Sequence, residues 1–268
     1  MNKKFIFSFL FLTLLLAGCG KKSNGMTTLT IGASNMPHAE ILDHVKPMLA
    51  KEGIDLKVKV FQDYVMPNKA TESGDLDANY FQHKPFLDNW DKQNNGDLIS
   101  VGNVHLEPIG VYSKQVKKLT DLKKGSTVLV SNSISDYGRV LTIFKDAGLI
   151  TLKKGTDVAT ANFADIKTNK LNLVFKHTYE PKLMSDLYEN NEGSAIIINA
   201  NYAVEAGLNP TKQAIALERS TSSYANLVAV APKNKDNPAI KKLVKALQSK
   251  KTREWILNKY KGAVIPAK

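Results

Sequence analysis

The sequence has little of the chemistry that enzymes and metalloproteins use. Its 268 residues include one cysteine, two tryptophans and five dispersed histidines. A single cysteine cannot form a disulfide within the chain, and dispersed histidines do not provide the clustered ligands of a zinc or manganese site. The G-x-S-x-G, G-x-x-x-x-G-K-[ST] and H-E-x-x-H patterns of common catalytic sites are also missing. We therefore predict no catalysis, no bound metal and no cofactor.

Arginine is scarce, although the chain is basic. The formal net charge is +12, yet only three of the 37 basic residues are arginines. Proteins that read bases or clamp phosphates favour arginine over lysine, because its planar guanidinium makes two parallel hydrogen bonds. Lysines spread along predicted helix faces and loops instead favour solubility and attraction to an anionic membrane. We predict no nucleic-acid partner.

Long apolar runs are missing except at the start of the chain. Two lysines precede the run Phe5–Leu16, and small residues follow it. A run this short does not span a bilayer comfortably and is typical of a secretory signal peptide. We assign the signal peptide to residues 1–18.

The sequence Leu16-Ala17-Gly18-Cys19 resembles a bacterial lipobox. In such a motif the cysteine sulfur receives a diacylglycerol, and the cysteine becomes the first residue of the mature protein. Residues 19–28 are polar and have no hydrophobic period, which predicts a flexible tether. We therefore predict a protein anchored to the cell membrane by lipid on Cys19 and facing outside the cytoplasm.

Short apolar strands alternate with amphipathic helices after residue 28, which predicts an α/β fold. No change in composition divides the chain into halves, so we expect the C-terminal segment to return to the first lobe. The predicted lobes are residues 29–112, completed by 227–268, and residues 113–226. Two crossing hinge strands would join the lobes and leave a ligand cleft between them.

The predicted elements include strands over Leu76–Tyr80 and Leu171–Phe175 and helices over Ser135–Ala147 and Pro181–Tyr188.

Several stretches of the chain resemble the methionine-binding lipoproteins of ATP-driven import systems. The densest is Asn79–Leu87 (NYFQHKPFL), with Asp63-Tyr64 upstream. Further matches cover nearly the whole mature chain and include Ala33–Leu42, Gly138-Arg139 and Asn199–Ala203. The resemblance implies a type II periplasmic-binding-protein-like fold. It also implies capture of L-methionine or a close analogue and delivery to an ABC-transporter permease with its ATPase.

The resemblance also implies residues that would hold the charged end of an amino acid. Arg139, near the start of a predicted helix, would pair with the ligand carboxylate through two parallel hydrogen bonds, assisted by the helix dipole. Asn199 and Asn226 lie at strand ends, where side-chain amides can accept from an ammonium and donate to a carboxylate.

Three aromatic or imidazole side chains are implied to surround the thioether: Tyr64, Phe81 and His83. Sulfur packs favourably against aromatic rings, and the methionine side chain gains free energy by leaving water. Asn103 and Tyr202 are predicted to support these side chains from behind.

Two segments depart from the family pattern, and both lie near the expected cleft. They are Ser131–Tyr137 (SNSISDY) and Lys176–Lys182 (KHTYEPK). These departures leave open a methionyl dipeptide or another amino acid as the ligand. A surface-displayed adhesin that retains the binding fold is a further alternative.

Overall fold

The computed structural model describes residues 25–219 and 222–267. The predicted signal peptide and Cys19 lie outside these ranges. The strands are β1 Thr27–Ser34, β2 Ile54–Phe61, β3 Ala78–His83, β4 Ile99–Leu106, β5 Gly110–Tyr112, β6 Thr127–Ser131, β7 Ile150–Leu152, β8 Ile166–Asn169, β9 Val174–Tyr179, β10 Ala195–Ile198, β11 Ala216–Leu217, β12 Ala225–Val230 and β13 Ile265–Pro266. The helices are α1 Glu40–Ala50, α2 Met66–Ser73, α3 Lys84–Asn94, α4 Tyr137–Asp146, α5 Met184–Glu189, α6 Ala200–Glu205, α7 Pro210–Gln213, α8 Pro238–Leu247 and α9 Lys250–Tyr260.

The first sheet has the strand order β13-β4-β12-β3-β1-β2. Strand β1 is parallel to β2 and β3, and β12 is antiparallel to β3 and β4. Leu29, Ile31 and Ala33 of β1 are fully buried and share one core with α1, α8 and α9. This sheet and its helices form the first lobe.

The second sheet has the order β11-β5-β10-β6-β9. Its strands β6 and β10 are buried along nearly their whole length, as expected for a central strand covered on both faces. Helix α4 packs Val140, Leu141 and Phe144 into the core on one face. A second cluster, which includes Met184, fills the other face. This sheet and its helices form the second lobe.

The chain passes between the two sheets twice, between β4 and β5 and between β11 and β12. The backbone N–H of Glu218, in the second passage, donates to the carbonyl oxygen of Ile109, in the first, at 2.9 Å. The C-terminal segment returns to the first sheet through β12, so the predicted two-lobed fold with two crossing connections is confirmed.

Details of the predicted boundaries are wrong. Strand β5 belongs to the second sheet, because it pairs with β10 and β11, whereas we placed residues 109–112 in the first lobe. Thr27 and Thr28 pair with β2 rather than belonging to the tether. None of the helices in the described ranges combines the length and the apolar character needed to cross a membrane.

All four of the predicted strands and helices named above are displaced along the chain. The strand expected over Leu76–Tyr80 is β3, which continues to His83, and the one expected over Leu171–Phe175 is β9. Each of the two expected helices begins with a short 3-10 turn, so that α4 starts at Tyr137 and α5 at Met184. The shift of β3 matters most, because it places Phe81 and His83 on the strand rather than in a loop.

Candidate functional site

A small cavity of about 30 Å³ lies between the lobes. It is lined by Tyr64, Phe81, Gln82, His83, Phe86, Glu107, Asp136, Arg139, Asn199, Ala200, Asn201 and Asn226. We call it the inner cavity. All six ligand-binding residues predicted from the sequence are among its lining. The structure thus brings together side chains that are up to 162 positions apart, since Tyr64 and Asn226 line the same cavity.

Arg139 is buried at 4% exposure in the third position of α4. Gly138 allows this placement, because a Cβ atom there would lie 1.7 Å from the carbonyl oxygen of Val158. The Nε of Arg139 donates to Glu218 Oε2 at 2.9 Å, and its Nη2 donates to the same oxygen and, at 2.7 Å, to the carbonyl oxygen of Glu107. The guanidinium also stacks over the ring of Tyr224 at 4.6 Å.

These contacts correct the predicted role of Arg139 in one respect. The Nε–Nη2 edge, which would give two parallel hydrogen bonds to a ligand, already holds Glu218. Only Nη1 remains, and its contact with Asp136 Oδ1 is long, at 3.4 Å. Arg139 can therefore donate to a molecule in the inner cavity through Nη1 alone.

Asp136 is a buried carboxylate that the surrounding donors keep charged. His83 Nε2 lies 3.2 Å from its Oδ1, and Asn199 Nδ2 donates to its Oδ2 at 3.0 Å. Because His83 Nδ1 accepts from the backbone N–H of Phe86, the proton that His83 directs at Asp136 is on Nε2. Burial opposes the negative charge, but His83, Arg139 and Asn199 together outweigh it and hold the pKa of Asp136 well below its usual range.

Two asparagines present unused hydrogen-bonding atoms to the inner cavity. Among the described residues, Asn199 Oδ1 and Asn201 Nδ2 are buried without a hydrogen-bond partner. Asn201 Oδ1 accepts from the Tyr64 hydroxyl at 2.6 Å, which fixes the orientation of the amide. One free acceptor and one free donor thus line the same cavity. Buried polar atoms rarely stay unpaired, so these two point to a ligand.

Glu107 lines the inner cavity and contacts two histidines that lie behind it. We call His38, His105 and Glu107 the histidine cluster. His105 Nε2 lies 2.6 Å and His38 Nε2 lies 3.3 Å from Glu107 Oε1. Burial lowers the pKa of His38 to about 4 and that of His105 to about 3, and burial also raises the pKa of Glu107. His38 Nε2 also lies 3.0 Å from Asn226 Oδ1, so the Nδ2 of Asn226 is left for the cavity.

The histidine cluster is also the one group among the described residues with the spacing of metal ligands, its ligand atoms lying within 4.8 Å of one another. Metal binding would require the protons of both histidines to move from Nε2 to Nδ1. In His38 that nitrogen is buried and has no partner, so the moved proton would be unsatisfied. The arrangement suits a chain of hydrogen bonds better than a metal.

An aromatic wall, formed by Tyr64, Phe81 and Phe86, closes one side of the inner cavity. The ring centroids lie 5.7 to 5.9 Å apart. Tyr64 and Phe86 also line a wider outer cavity of about 620 Å³, which continues to the surface past Trp90, Ile134 and Lys182. The aromatic wall therefore separates a polar interior from an open vestibule.

The two residues predicted to support the site behave differently. Tyr202 packs against Tyr64 at 5.2 Å and donates its hydroxyl to the carbonyl oxygen of Gln62, as a supporting residue would. Asn103 is exposed on β4, and no hydrogen bond of its side chain to a lining residue is found among the described residues, so the prediction for it is wrong. Its polar side chain simply faces solvent on a half-exposed strand.

Sequence reasoning did not assign the other six residues of the lining, nor Glu218 behind it. These six are Gln82, Phe86, Glu107, Asp136, Ala200 and Asn201. Phe86 and Asn201 lie inside stretches that carried the family resemblance. Glu107 and Glu218 had no local signal, because each is a single acidic residue next to a connection between lobes.

The inner cavity combines one arginine, several carboxylates, amide atoms of both kinds and an aromatic wall, and it lies between two α/β lobes joined by two connections. This fold and this site define a two-lobed solute-binding protein. The chain belongs to the NlpA lipoprotein family, whose model matches residues 29–268.

Comparison with known proteins supports this membership over most of the chain. The methionine-binding lipoprotein MetQ of Bacillus subtilis is 44% identical, and the match covers 94% of this chain and 93% of that protein. A pheromone cOB1 precursor/lipoprotein of the YaeC family from Enterococcus faecalis is 54% identical in a solved structure, with a TM-score of 0.88, covering 90% of this chain and all of the other. A nutrient-binding protein from Burkholderia cenocepacia, solved bound to methionine, is 41% identical with a TM-score of 0.82, over 90% of this chain and all of the other.

Proposed function

We propose that this protein captures L-methionine, or a close analogue, between the residues of the inner cavity. With the lobes as they stand the cavity has room for little more than water, so entry of the ligand requires the lobes to move apart. The observation that carries the proposal is the pair of unpartnered buried atoms, Asn199 Oδ1 and Asn201 Nδ2, which face the same cavity as Arg139. A free amino acid has an ammonium group to occupy the acceptor and a carboxylate to occupy the donor. The Burkholderia relative that holds methionine supports the choice of ligand.

The distribution of charge supports one orientation of the ligand. Its carboxylate would receive hydrogen bonds from Arg139 Nη1 and Asn201 Nδ2, and from the Nδ2 of Asn226. Its ammonium would face Asn199 Oδ1 and the carboxylates of Asp136 and Glu107, which line the cavity. The thioether would then lie against the aromatic wall, where sulfur–ring contacts contribute about 0.3–1.5 kcal/mol.

Relative movement of the two lobes would couple binding of the ligand to closure of the protein. Because contacts would come from both lobes, the ligand would stabilise the closed state more than the open one. We propose that lipid on Cys19 holds the receptor at the outer face of the cell membrane, where it delivers the ligand to an ABC-transporter permease with its ATPase. The residues around the cavity are arranged for binding, and we propose no catalysis.

The outer cavity favours a second candidate, a methionyl dipeptide. The outer cavity, of about 620 Å³, adjoins the inner cavity at Tyr64 and Phe86. It has room for the second residue of a dipeptide. Amide side chains, among them Asn89 and Asn132, line it and can pair with a peptide group.

Isothermal titration calorimetry of the protein without residues 1–19 tests the proposal. We expect saturable binding of L-methionine with one site, and weaker binding of D-methionine. If glycyl-methionine binds more tightly than L-methionine, the dipeptide is the ligand. If none of the three binds and mass spectrometry identifies another co-purifying amino acid, the proposal is wrong.

A further inference from the structure

Arg139 contacts both connections between the lobes as well as the inner cavity. Its Nη2 donates to the backbone of Glu107, which follows β4, at 2.7 Å. Its Nε donates at 2.9 Å to Glu218, which follows β11. The ring of Tyr224, just before β12, covers the guanidinium. One side chain of the second lobe is therefore tied to both places where the lobes could move relative to each other.

Glu218 is the centre of these contacts, although it does not line the inner cavity. It is buried at 9% exposure. Its Oε2 accepts from Arg139 Nε, from Arg139 Nη2 and, at 3.2 Å, from the backbone N–H of Ile109. Its own backbone N–H donates to Ile109 at 2.9 Å. Glu218 thus has a fixed position relative to both connections, and its hydrogen bonds with Arg139 fix the position of the guanidinium.

The orientation of Arg139 depends on this fixed partner. Two other carboxylates, those of Asp136 and Glu107, line the inner cavity and could attract the guanidinium. Glu218 holds the Nε–Nη2 edge away from them and leaves Nη1 directed at the cavity. Without the charge of Glu218, the guanidinium would be free to turn its Nε–Nη2 edge toward Asp136. The Asp136 carboxylate would then compete with the ligand carboxylate for the guanidinium.

We infer that Glu218 is a positioning residue for recognition of the ligand carboxylate, acting through Arg139 at the junction of the two connections. The inference rests on the proposed function, because it assigns a role within the same site. It predicts that loss of Glu218 weakens binding only for ligands that carry a carboxylate.

The test compares L-methionine with L-methioninamide, which lacks the carboxylate charge but keeps the amine and the thioether. Calorimetry is run on the wild type and on Glu218→Gln, at a pH where the amine of the amide is protonated. Hydrogen bonds to charged groups typically contribute enough to change affinity by roughly 10- to 100-fold. We expect Glu218→Gln to lose affinity for L-methionine within that range and to change its affinity for L-methioninamide less than about threefold.

Glu72→Gln is a matched control. Glu72 also accepts a hydrogen bond from a buried side chain, Trp90 Nε1 at 2.7 Å, but it has no contact with Arg139. Its replacement should leave the affinities for both ligands unchanged. If Glu218→Gln does not fold, Glu218→Asp keeps the charge but withdraws it by one methylene, and it should show the same selectivity with a smaller loss.

The outcomes separate the inference from the proposed function. Equal losses for both ligands, or no loss for either, would overturn the positioning role while leaving methionine binding intact. A wild type that binds both ligands equally would also overturn it, because carboxylate recognition would then be missing. A wild type that binds neither ligand would overturn the proposed function and this inference together.

Discussion

Two buried groups of ionisable side chains lie at or behind the same cavity, and they differ in charge. Asp136 and Arg139 are charged in one group, whereas both histidines are neutral in the other. The ion cluster, formed by Asp136, Arg139 and Glu218, lies on the side of the second lobe, where Asp136 and Arg139 are held in their charged forms. The histidine cluster lies on the side of the first lobe, where burial lowers the pKa of both histidines to about 4 or below.

The contrast shows that burial alone does not decide the charge of a side chain. Asp136 is as buried as His38, but it accepts from several donors and lies beside a cation. His38 has a buried Nδ1 without a partner, so a second proton there would be unsatisfied. The second lobe therefore offers the charges of Asp136 and Arg139 to a ligand, while the two histidines behind the first-lobe side are neutral and the aromatic wall offers packing.

The largest effect should come from removing the cation of the ion cluster. Arg139→Ala leaves the carboxylates of Asp136 and Glu218 buried without their partner. Breaking a buried pair in this way typically costs about 3–5 kcal/mol of unfolding free energy. Urea unfolding should show a loss of this size, and calorimetry should show no methionine binding.

Arg219→Ala is the control for that variant. Arg219 is 88% exposed, and its nitrogen lies 3.7 Å from Asp146. Such a pair contributes about 0–1 kcal/mol, so the variant should unfold like the wild type. An Arg139→Ala protein as stable as the wild type would mean that the ion cluster is not charged.

The histidine cluster should make stability fall as the pH falls. The folded-state pKa values of about 4 for His38 and about 3 for His105 lie below the unfolded value of 6.5. Below about pH 6.5 the unfolded chain therefore binds protons that the folded chain does not, and each histidine costs up to about 1.4 kcal/mol per pH unit. Urea unfolding should show a loss of about 2–4 kcal/mol between pH 7 and pH 5.

His38→Gln should remove about half of this slope, and His177→Gln, at an exposed position, should leave it unchanged. The contribution of Asp136 to folding stability changes in a different pH range. Because its folded pKa is depressed, its stabilisation is present above the unfolded value of about 3.9 and is lost only below it. A flat profile between pH 7 and pH 5 would contradict the neutral state of the histidine cluster.

Much of the charged side could be predicted from the sequence, but its pairing could not. Arg139 and Asn199 lie next to recognisable ends of elements inside family-like stretches, so local pattern was sufficient to find them. Glu218 lies 79 positions from Arg139, and nothing in the local sequence shows that it would occupy the paired edge of the guanidinium.

Predicting the first-lobe side of the site would have required the exact ends of β3 and contacts between residues distant in the sequence. A shift of β3 placed Phe81 and His83 on a strand, since apolar alternation fixes the type of an element better than its ends. His38 and Glu107 come into contact only when the first lobe has folded. In the sequence, each is indistinguishable from an ordinary surface histidine or glutamate.

A smaller effect should follow when the unpaired donor Asn201 Nδ2 of the inner cavity is replaced. Asn201→Asp keeps the acceptor for the Tyr64 hydroxyl but exchanges Nδ2 for a charged oxygen that repels a carboxylate. Methionine affinity should fall about 10- to 100-fold by calorimetry. Asn89→Asp, in the outer cavity, is the matched control and should keep nearly full affinity. If Asn201→Asp binds L-methionine as tightly as the wild type does, Asn201 does not hold the carboxylate.

The smallest effect should come from the aromatic wall, because it contributes packing rather than charge. Phe86→Leu keeps an apolar side chain of similar size but removes the ring that a thioether would contact. Sulfur–ring contacts contribute about 0.3–1.5 kcal/mol, so methionine affinity should fall by roughly 2- to 10-fold. Norleucine, which has a methylene in place of the sulfur, should bind this variant and the wild type almost equally. An equal loss for both ligands would mean that the wall recognises apolar volume and not sulfur, and the selectivity of the site would then reside entirely in its charged side.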